Sequence, residues 1–191
     1  MTDKKSLVEL LPDLIAAEFH LPMTKGTLRI AETKREATCR WVELKIKKSM
    51  RCFGFSIDKP RKIGEGDPIF PFFNPEQKGI CSKNDAILII QKKQKIYVFL
   101  IELKSKNPGE YLKQLKAAQT FVQFIFARIE LYELCKHPLN NVEFRGILFS
   151  CRRTPNEGTT KHQQIEFNDR TGLLVTEQNC NNIYHLLGFL N

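Results

Sequence analysis

The sequence contains no run of about 20 apolar residues, the length that a helix needs to cross a bilayer. Residues 1–7 include two lysines but no apolar core of a signal peptide, so we expect no secretory leader. The chain also has no glycine-rich phosphate loop of the P-loop or Rossmann type. Membrane-spanning proteins and nucleotide-binding enzymes of those two classes are therefore not indicated.

The chain has no Cys-x-x-Cys pair, so the spacing of its cysteines does not indicate a zinc ribbon or a thioredoxin-like centre. Several of the cysteines lie within apolar runs, which is typical of buried free thiols in a reducing compartment. We therefore expect a cytoplasmic protein. The six cysteines are Cys39, Cys52, Cys81, Cys135, Cys151 and Cys180.

Basic residues outnumber acidic residues in the chain. Lysine and arginine number 30 against 21 aspartate and glutamate residues, which gives a net charge of +9 in 191 residues. Such an excess favours a polyanionic partner, most often nucleic acid, although basic charge also serves solubility. A membrane-surface protein would need a basic amphipathic helix, which is not apparent, so no membrane partner is expected.

Hydropathy periods predict a helix over residues 5–20 and a second, long helix between Gly109 and His137. Alternating apolar residues predict a hairpin over residues 42–57 with one buried and one basic face. A long loop is expected over residues 58–80, which are rich in proline and glycine. In the tail we expect strands near residues 164–167 and 173–176 and a short helix near residues 183–190.

Two unbroken apolar runs, residues 85–90 and 96–101, predict buried strands around a tight turn. The long helix and a strand over residues 144–149 follow, which predicts a parallel βαβ crossover. The simplest fold is one α/β domain over residues 1–191.

The candidate catalytic residues lie at the end of this predicted hairpin that is away from the turn. If Lys93-Gln94 forms the turn, Asp85 lies opposite Glu102, with side chains on the same face and Cβ atoms about 4.5–5.5 Å apart. Lys104 lies two residues beyond Glu102 and shares that face. A different turn would shift this register.

Facing carboxylates repel each other, and a divalent cation removes the repulsion. Mg²⁺ favours one or two carboxylates together with waters and a substrate phosphate. Lys104 would then orient an attacking water or stabilise developing negative charge. The alternative is an ion pair at a solvated end of the sheet.

Asp85, Glu102 and Lys104 resemble the motif of the PD-(D/E)xK nuclease superfamily, with Asn84 in place of the proline. The resemblance covers residues 83–151. It implies a restriction-endonuclease-like αβββαβ core with a central mixed sheet flanked by helices. It also implies Mg²⁺ or Mn²⁺ held by Asp85 and Glu102.

Some members of the superfamily add an acidic ligand from the first helix. Glu18 and Glu9 are the candidates, with Glu18 preferred because it lies at the C-terminal end of that helix. Some members carry a glutamine on the helix after the lysine, and Gln114 fits that position loosely, where it would bond a water or phosphate near the metal. The simpler interpretation of Glu18 and of Gln114 is a solvated helix residue.

Basic residues near this end of the sheet are candidates for phosphate contacts, which give affinity without reading sequence. They are Lys83, Lys106, Lys113, Arg152 and Arg153.

The resulting hypothesis is a metal-dependent nuclease, acting most naturally on DNA in repair, restriction or phage defence. Nucleic acid is the expected partner, with a larger protein assembly or a homodimer as further options. The alternative is a non-catalytic module of the same fold that binds nucleic acid or a protein partner.

Overall fold

A computed structural model describes residues 4–58, 67–105, 109–151 and 165–190. Short 3₁₀ turns lie at Ala17–Phe19 and Leu186–Phe189. The helices and strands of the described residues are, in chain order, α1 (Leu7–Leu14), β1 (Met23–Thr24), β2 (Thr27–Ala31), β3 (Trp41–Lys45), β4 (Arg51–Phe55), β5 (Ala86–Lys92), β6 (Lys95–Lys104), α2 (Tyr111–Leu131), β7 (Val142–Ser150), β8 (Asn168–Asp169), β9 (Leu174–Asn179) and β10 (Asn182–His185).

The fold is α/β, with two mixed sheets. The larger has six strands in the order β4-β5-β6-β7-β9-β8, and the smaller has four in the order β1-β2-β3-β10. In the larger sheet β4, β5 and β6 are antiparallel neighbours, while β6, β7 and β9 run parallel. The predicted parallel crossover from β6 through α2 to β7 is confirmed.

The hairpin that carries the candidate site has the predicted register. Ala86 pairs with Ile101 and Lys92 with Lys95, which leaves Lys93 and Gln94 as the turn. Lys93 takes a left-handed backbone conformation, with φ of 57°, as tight hairpin turns require. One further step along this register places Asp85 opposite Glu102.

The six-stranded sheet is covered differently on its two faces. Helices α1 and α2 pack on the face that presents Ile87, Val98 and Leu100. The other face, with Leu88 and Phe99, packs against apolar residues of the four-stranded sheet. The expectation of a central sheet flanked by helices therefore holds on one face, and a second sheet replaces helices on the other.

The predicted hairpin over residues 42–57 is wrong. Its two strands belong to different sheets: β3 pairs with β2 and β10, whereas β4 pairs with β5. Alternation does predict the buried side chains Val42 and Leu44. It reports which side of a strand is buried, but the same alternation suits many partner strands.

Helix α1 is shorter than predicted. It begins after a capping box formed by Ser6 and Glu9 and ends at Leu14, because Ile15 has an extended backbone. Residues 17–19 form a separate 3₁₀ turn. Pro12 lies within α1 and has no N–H to donate to the carbonyl of Val8, four residues earlier.

Helix α2 packs one apolar stripe against the six-stranded sheet. Gly146 on β7 allows this close packing, because a Cβ atom there would lie 2.7 Å from Cδ1 of Leu115. The buried residues of α2 are Leu115, Ala118, Val122, Phe126 and Ile129. No helix of the described ranges is both long and apolar enough to span a bilayer.

The tail follows the prediction only in part. Strand β9 confirms the strand expected at residues 173–176, but residues 165–167, where the other strand was expected, form none, and β8 lies at Asn168–Asp169 instead. The predicted helix over residues 183–190 is replaced by β10 and a 3₁₀ turn. Residues 67–80 form neither helix nor strand, and Phe70 packs edge-on against Phe121 of α2, with ring centroids 5.9 Å apart.

Candidate functional site

The candidate site lies at one edge of the six-stranded sheet, on the face that carries the helices. Asp85 immediately precedes β5, and Glu102 and Lys104 end the neighbouring strand β6. The parallel strands β7 and β9 end at the same edge. Because these strands are the centre of the core, the edge is a rigid platform for side chains.

Asp85 is held in place by the backbone of the neighbouring strand. The N–H of Leu103 donates a hydrogen bond of 2.6 Å to Oδ2 of Asp85. The preceding residue, Asn84, is buried, and its Nδ2 donates to the carbonyl oxygens of Ala86 at 2.5 Å and Ile101 at 3.2 Å. Asn84 therefore ties the approach to β5 to both strands of the hairpin.

Glu102 is almost fully buried, with 2% of its side chain exposed. Nζ of Lys104 lies 2.6 Å from its Oε1. Its other oxygen, Oε2, is also buried, and no group of the described residues donates a hydrogen bond to it. A buried carboxylate oxygen without a donor is costly unless a proton or a cation satisfies it.

Both carboxyl groups have raised pKa values. Burial raises the pKa of Glu102, and the Asp85 charge adds to the effect, while Lys104 offsets part of it. Burial likewise raises the pKa of Asp85, although the hydrogen bond from Leu103 opposes the shift. The site is therefore short of positive charge despite the presence of Lys104.

This arrangement suits a hard divalent cation. Two carboxylates from adjacent strands offer oxygen ligands, which Mg²⁺ and Mn²⁺ prefer. The unsatisfied Oε2 of Glu102 is the ligand atom that such an ion would use, and its charge would lower both raised pKa values.

Glu18, the predicted third ligand, lies in the 3₁₀ turn after α1 and is exposed. Among the described residues no three carboxylates bring ligand oxygens within 4.8 Å of one another, so Glu18 does not complete a triad there. Instead, the charges of Asp58 and Glu32 act on Asp85 and further raise its pKa.

Sequence reasoning missed Asp58 because it paired β4 with the wrong strand. Asp58 follows β4 by three residues, and β4 runs antiparallel to β5. Had β4 been paired with β5, its end would have been placed beside the start of β5, where Asp85 lies.

Gln114 lies in the first turns of α2, at the border of the site. Its Nε2 donates a hydrogen bond of 3.1 Å to the backbone carbonyl of Lys83, two residues before Asp85. Gln114 thus joins α2 to the segment that carries Asp85.

The structure gives Lys83 a partner other than the predicted phosphate. Its Nζ lies 2.9 Å from Oδ2 of Asp67, and the two side chains are only 11% and 6% exposed. Burial raises the pKa of Asp67, but the hydrogen bonds from Lys83, Phe70 and Ile69 outweigh this effect, and the net pKa is lowered. Lys83 therefore anchors the loop before β5.

Of the remaining predicted phosphate contacts, Lys113 is exposed on the first turn of α2. Its Nζ lies 2.8 Å from Oε1 of Glu110, an exposed pair that a phosphate can displace at little cost. Lys106, Arg152 and Arg153 lie outside the described residues.

A cleft of about 1110 Å³ opens at the opposite edge of the sheet, beside the turn between β5 and β6. Its described lining residues include no carboxylate. Asp85 and Glu102 therefore lie away from this cleft.

Comparison of the chain with protein-family models, curated proteins and solved structures finds no match in any of the three. The function is therefore inferred from the geometry of the chain's own residues.

Proposed function

We propose that this protein is a metal-dependent nuclease that hydrolyses phosphodiester bonds, in the first place those of DNA. The observation that carries the proposal is the buried carboxylate of Glu102, which lies beside Asp85 and Lys104. Its Oε2 accepts no hydrogen bond from any of the described residues. Two carboxylates at the edge of a rigid sheet can bind the metal ion that activates water for phosphodiester hydrolysis, and the ammonium group can stabilise negative charge.

The order of elements supports a restriction-endonuclease-like core. When β1, β2 and β3 of the smaller sheet, which lie between α1 and β4 in the chain, are set aside, the elements α1, β4, β5, β6, α2 and β7 have the order αβββαβ. The antiparallel strands β4, β5 and β6 and the parallel β7 form one mixed sheet. Asp85 opens the second of these strands, and Glu102 and Lys104 end the third, as the resemblance to PD-(D/E)xK nucleases implies.

In this proposal Asp85 and Glu102 hold Mg²⁺ or Mn²⁺. The bound ion would lower the pKa of a water ligand and neutralise charge on the phosphodiester. Leu103 N–H keeps Asp85 in position. Lys104 Nζ donates one hydrogen bond to Glu102 and has further protons with which to orient the attacking water or stabilise the phosphorane oxygens.

The charge of the chain supports a nucleic acid as the substrate. A net charge of +9 attracts a polyanion, and exposed Lys113 stands on the helix that borders the site. Contacts of this kind hold phosphates without reading bases, which favours cleavage of low sequence specificity.

The test is cleavage of supercoiled plasmid, linear duplex and labelled single strands of DNA and RNA in Mg²⁺ or Mn²⁺. We expect wild-type protein to cut at least one DNA substrate and Asp85→Asn to cut none. Glu43→Gln, an exchange on β3 of the second sheet, is the matched control and should cut like the wild type.

Cutting by Asp85→Asn at the wild-type rate would refute the assignment of the site. Salt-sensitive binding of nucleic acid with no cutting by either protein would instead identify the non-catalytic module.

A further inference from the structure

Three cysteines that are far apart in the sequence converge at the same edge of the sheet, on the opposite face from the acidic pair. Cys39 precedes β3, Cys151 follows β7 and Cys180 follows β9. Their three Sγ atoms all lie within 4.8 Å of one another, and all three thiols are free. Cys39 and Cys180 belong to the apolar layer between the two sheets.

Parallel pairing brings two of these cysteines together. Ser150 and Asn179 are the last paired residues of β7 and β9, so Cys151 and Cys180 are the next residues on adjacent strands. The N–H of Cys180 donates a hydrogen bond of 2.9 Å to the carbonyl of Ser150, which continues the ladder. Both thiols therefore leave the sheet side by side.

The third cysteine is delivered by a segment that is clamped on two sides. On one side, Oδ1 of Asn181 accepts hydrogen bonds from the N–H groups of Arg40 and Trp41, and Nδ2 of Asn181 donates to the carbonyl of Thr38. Asn181 directly follows Cys180, so the clamp joins the Cys39 segment to the end of β9.

On the other side, Oγ of Ser105 accepts hydrogen bonds from the N–H groups of Thr38 at 2.9 Å and Cys39 at 3.3 Å. The carbonyl of Ser105 in turn accepts from the N–H of Cys151. Contacts of this kind hold the side chains that bind a metal in place and are a regular feature of metal sites.

We propose that Cys39, Cys151 and Cys180 form a binding site for one soft divalent cation, in the first place Zn²⁺. Tetrahedral coordination with Zn–S bonds of about 2.3 Å separates sulfur atoms by about 3.8 Å, so thiols this close need little movement. Thiolates do not suit Mg²⁺ or Mn²⁺, so this site and the acidic pair select different metals. The fourth position takes water or an external ligand.

Access and chemistry agree with this assignment. Cys151 is exposed, which gives the ion a route from solvent, whereas Cys39 is buried. A thiol binds such a cation as the thiolate, so binding would release protons. The bound ion would tie the Cys39 segment, β7 and β9 together.

The test uses the full chain, purified reduced under anaerobic conditions and titrated with Co²⁺ as a spectroscopic substitute for Zn²⁺. We expect a thiolate-to-cobalt charge-transfer band that saturates at one equivalent and disappears when Zn²⁺ is added. Cys151→Ser and Cys180→Ser should each lose most of the band. Cys135→Ser, which changes a cysteine outside the cluster, should keep it.

Absence of the band in folded wild-type protein would overturn the proposal, and so would an unchanged band in the Cys151→Ser, Cys180→Ser double variant. A Cys151–Cys180 disulfide that persists under these conditions would also overturn it. Because Cys151 is exposed, Cys151→Ser is expected to fold, which circular dichroism checks. The Co²⁺ signal does not depend on nuclease activity, so the two proposals can fail separately.

Discussion

The backbone N–H of Leu103 donates a hydrogen bond of 2.6 Å to the carboxylate of Asp85, across the gap between two adjacent strands. This contact fixes Asp85 beside Glu102, although two like charges at facing positions destabilise a hairpin. The folded protein thus holds two carboxylates together at the edge of its most buried strands. A cation that binds the pair relieves the repulsion.

The raised pKa values of Asp85 and Glu102 predict a pH-dependent stability. A carboxyl with a raised pKa binds its proton more tightly in the folded state, so its contribution to stability is complete below the ordinary carboxyl range. That contribution is lost as pH rises through the raised values. In a chelator, the melting temperature should therefore fall between about pH 5 and about pH 8.

Glu102→Gln removes one of the two titrating groups and should flatten this decline, and Mn²⁺ should weaken it in the wild type. Melting curves by circular dichroism at several pH values provide the measurement. A decline that is identical in wild type and Glu102→Gln would exclude this pair as its source.

Lys104→Gln should separate metal binding from catalysis. The exchange removes the ammonium group that competes with a cation for Oε1 of Glu102, so Mn²⁺ affinity should be kept or increased. Cleavage should fall by about a hundredfold to a thousandfold, the usual cost of losing one electrostatic contact to a transition state. Calorimetry gives the affinity and single-turnover cleavage the rate.

Equal losses of Mn²⁺ binding and cleavage in Lys104→Gln would show that Lys104 has a structural role. Lys104→Arg is the companion variant, because it keeps the charge with a different donor geometry.

Lys83→Met should destabilise the protein with little effect on nucleic acid binding. The exchange leaves the buried Asp67 carboxylate without its ion-pair partner, while the N–H groups of Ile69 and Phe70 still donate to it. Loss of one partner of a buried pair costs about 3–5 kcal/mol, and these two hydrogen bonds favour the lower end. Urea unfolding measures the loss.

Lys113→Ala is the contrasting variant, because this lysine is exposed. It should leave stability nearly unchanged. The slope of log K for DNA binding against log salt concentration should become shallower by the amount that corresponds to about one phosphate contact. A lower salt slope for Lys83→Met and not for Lys113→Ala would reverse the roles assigned to the two lysines.

Gly146→Ala should destabilise the contact between α2 and β7. The new Cβ would lie 2.7 Å from Cδ1 of Leu115 and 3.1 Å from Cγ2 of Val175, both within the core. Overpacking of this kind costs about 1–3 kcal/mol of unfolding free energy. Gly54→Ala is the control, since its Cβ would meet Leu28 and Leu21 at ordinary contact distances of 3.5–3.6 Å. Equal melting temperatures for the two variants would contradict this account.

The hairpin of β5 and β6 could be predicted because both strands are continuous apolar runs with a short polar turn between them. Once Lys93 and Gln94 were assigned to the turn, the positions of Asp85 and Glu102 followed. Helix α2 was equally predictable, since one apolar stripe at helical spacing runs along its whole length.

The second sheet was not predictable in the same way. Alternation in β3 and β4 shows that each strand has a buried side, yet pairing is decided by contacts with strands that are distant in the sequence. The approach of Asp58 to Asp85 was missed for this reason. The Cys39, Cys151 and Cys180 cluster was missed because no local spacing connects its members, although its two later cysteines follow adjacent strands.

Calorimetric titration of Mn²⁺ into the metal-free protein, beside Glu102→Gln, tests the central claim most directly. The exchange keeps the size of the side chain and removes the buried charge, and circular dichroism confirms that both proteins are folded. To separate this site from the cysteine cluster, both proteins also carry Cys151→Ser. The account predicts saturable Mn²⁺ binding in the parent and none in Glu102→Gln. Equal binding in the two proteins, or none in either, would contradict the assignment of Asp85 and Glu102 as a metal centre.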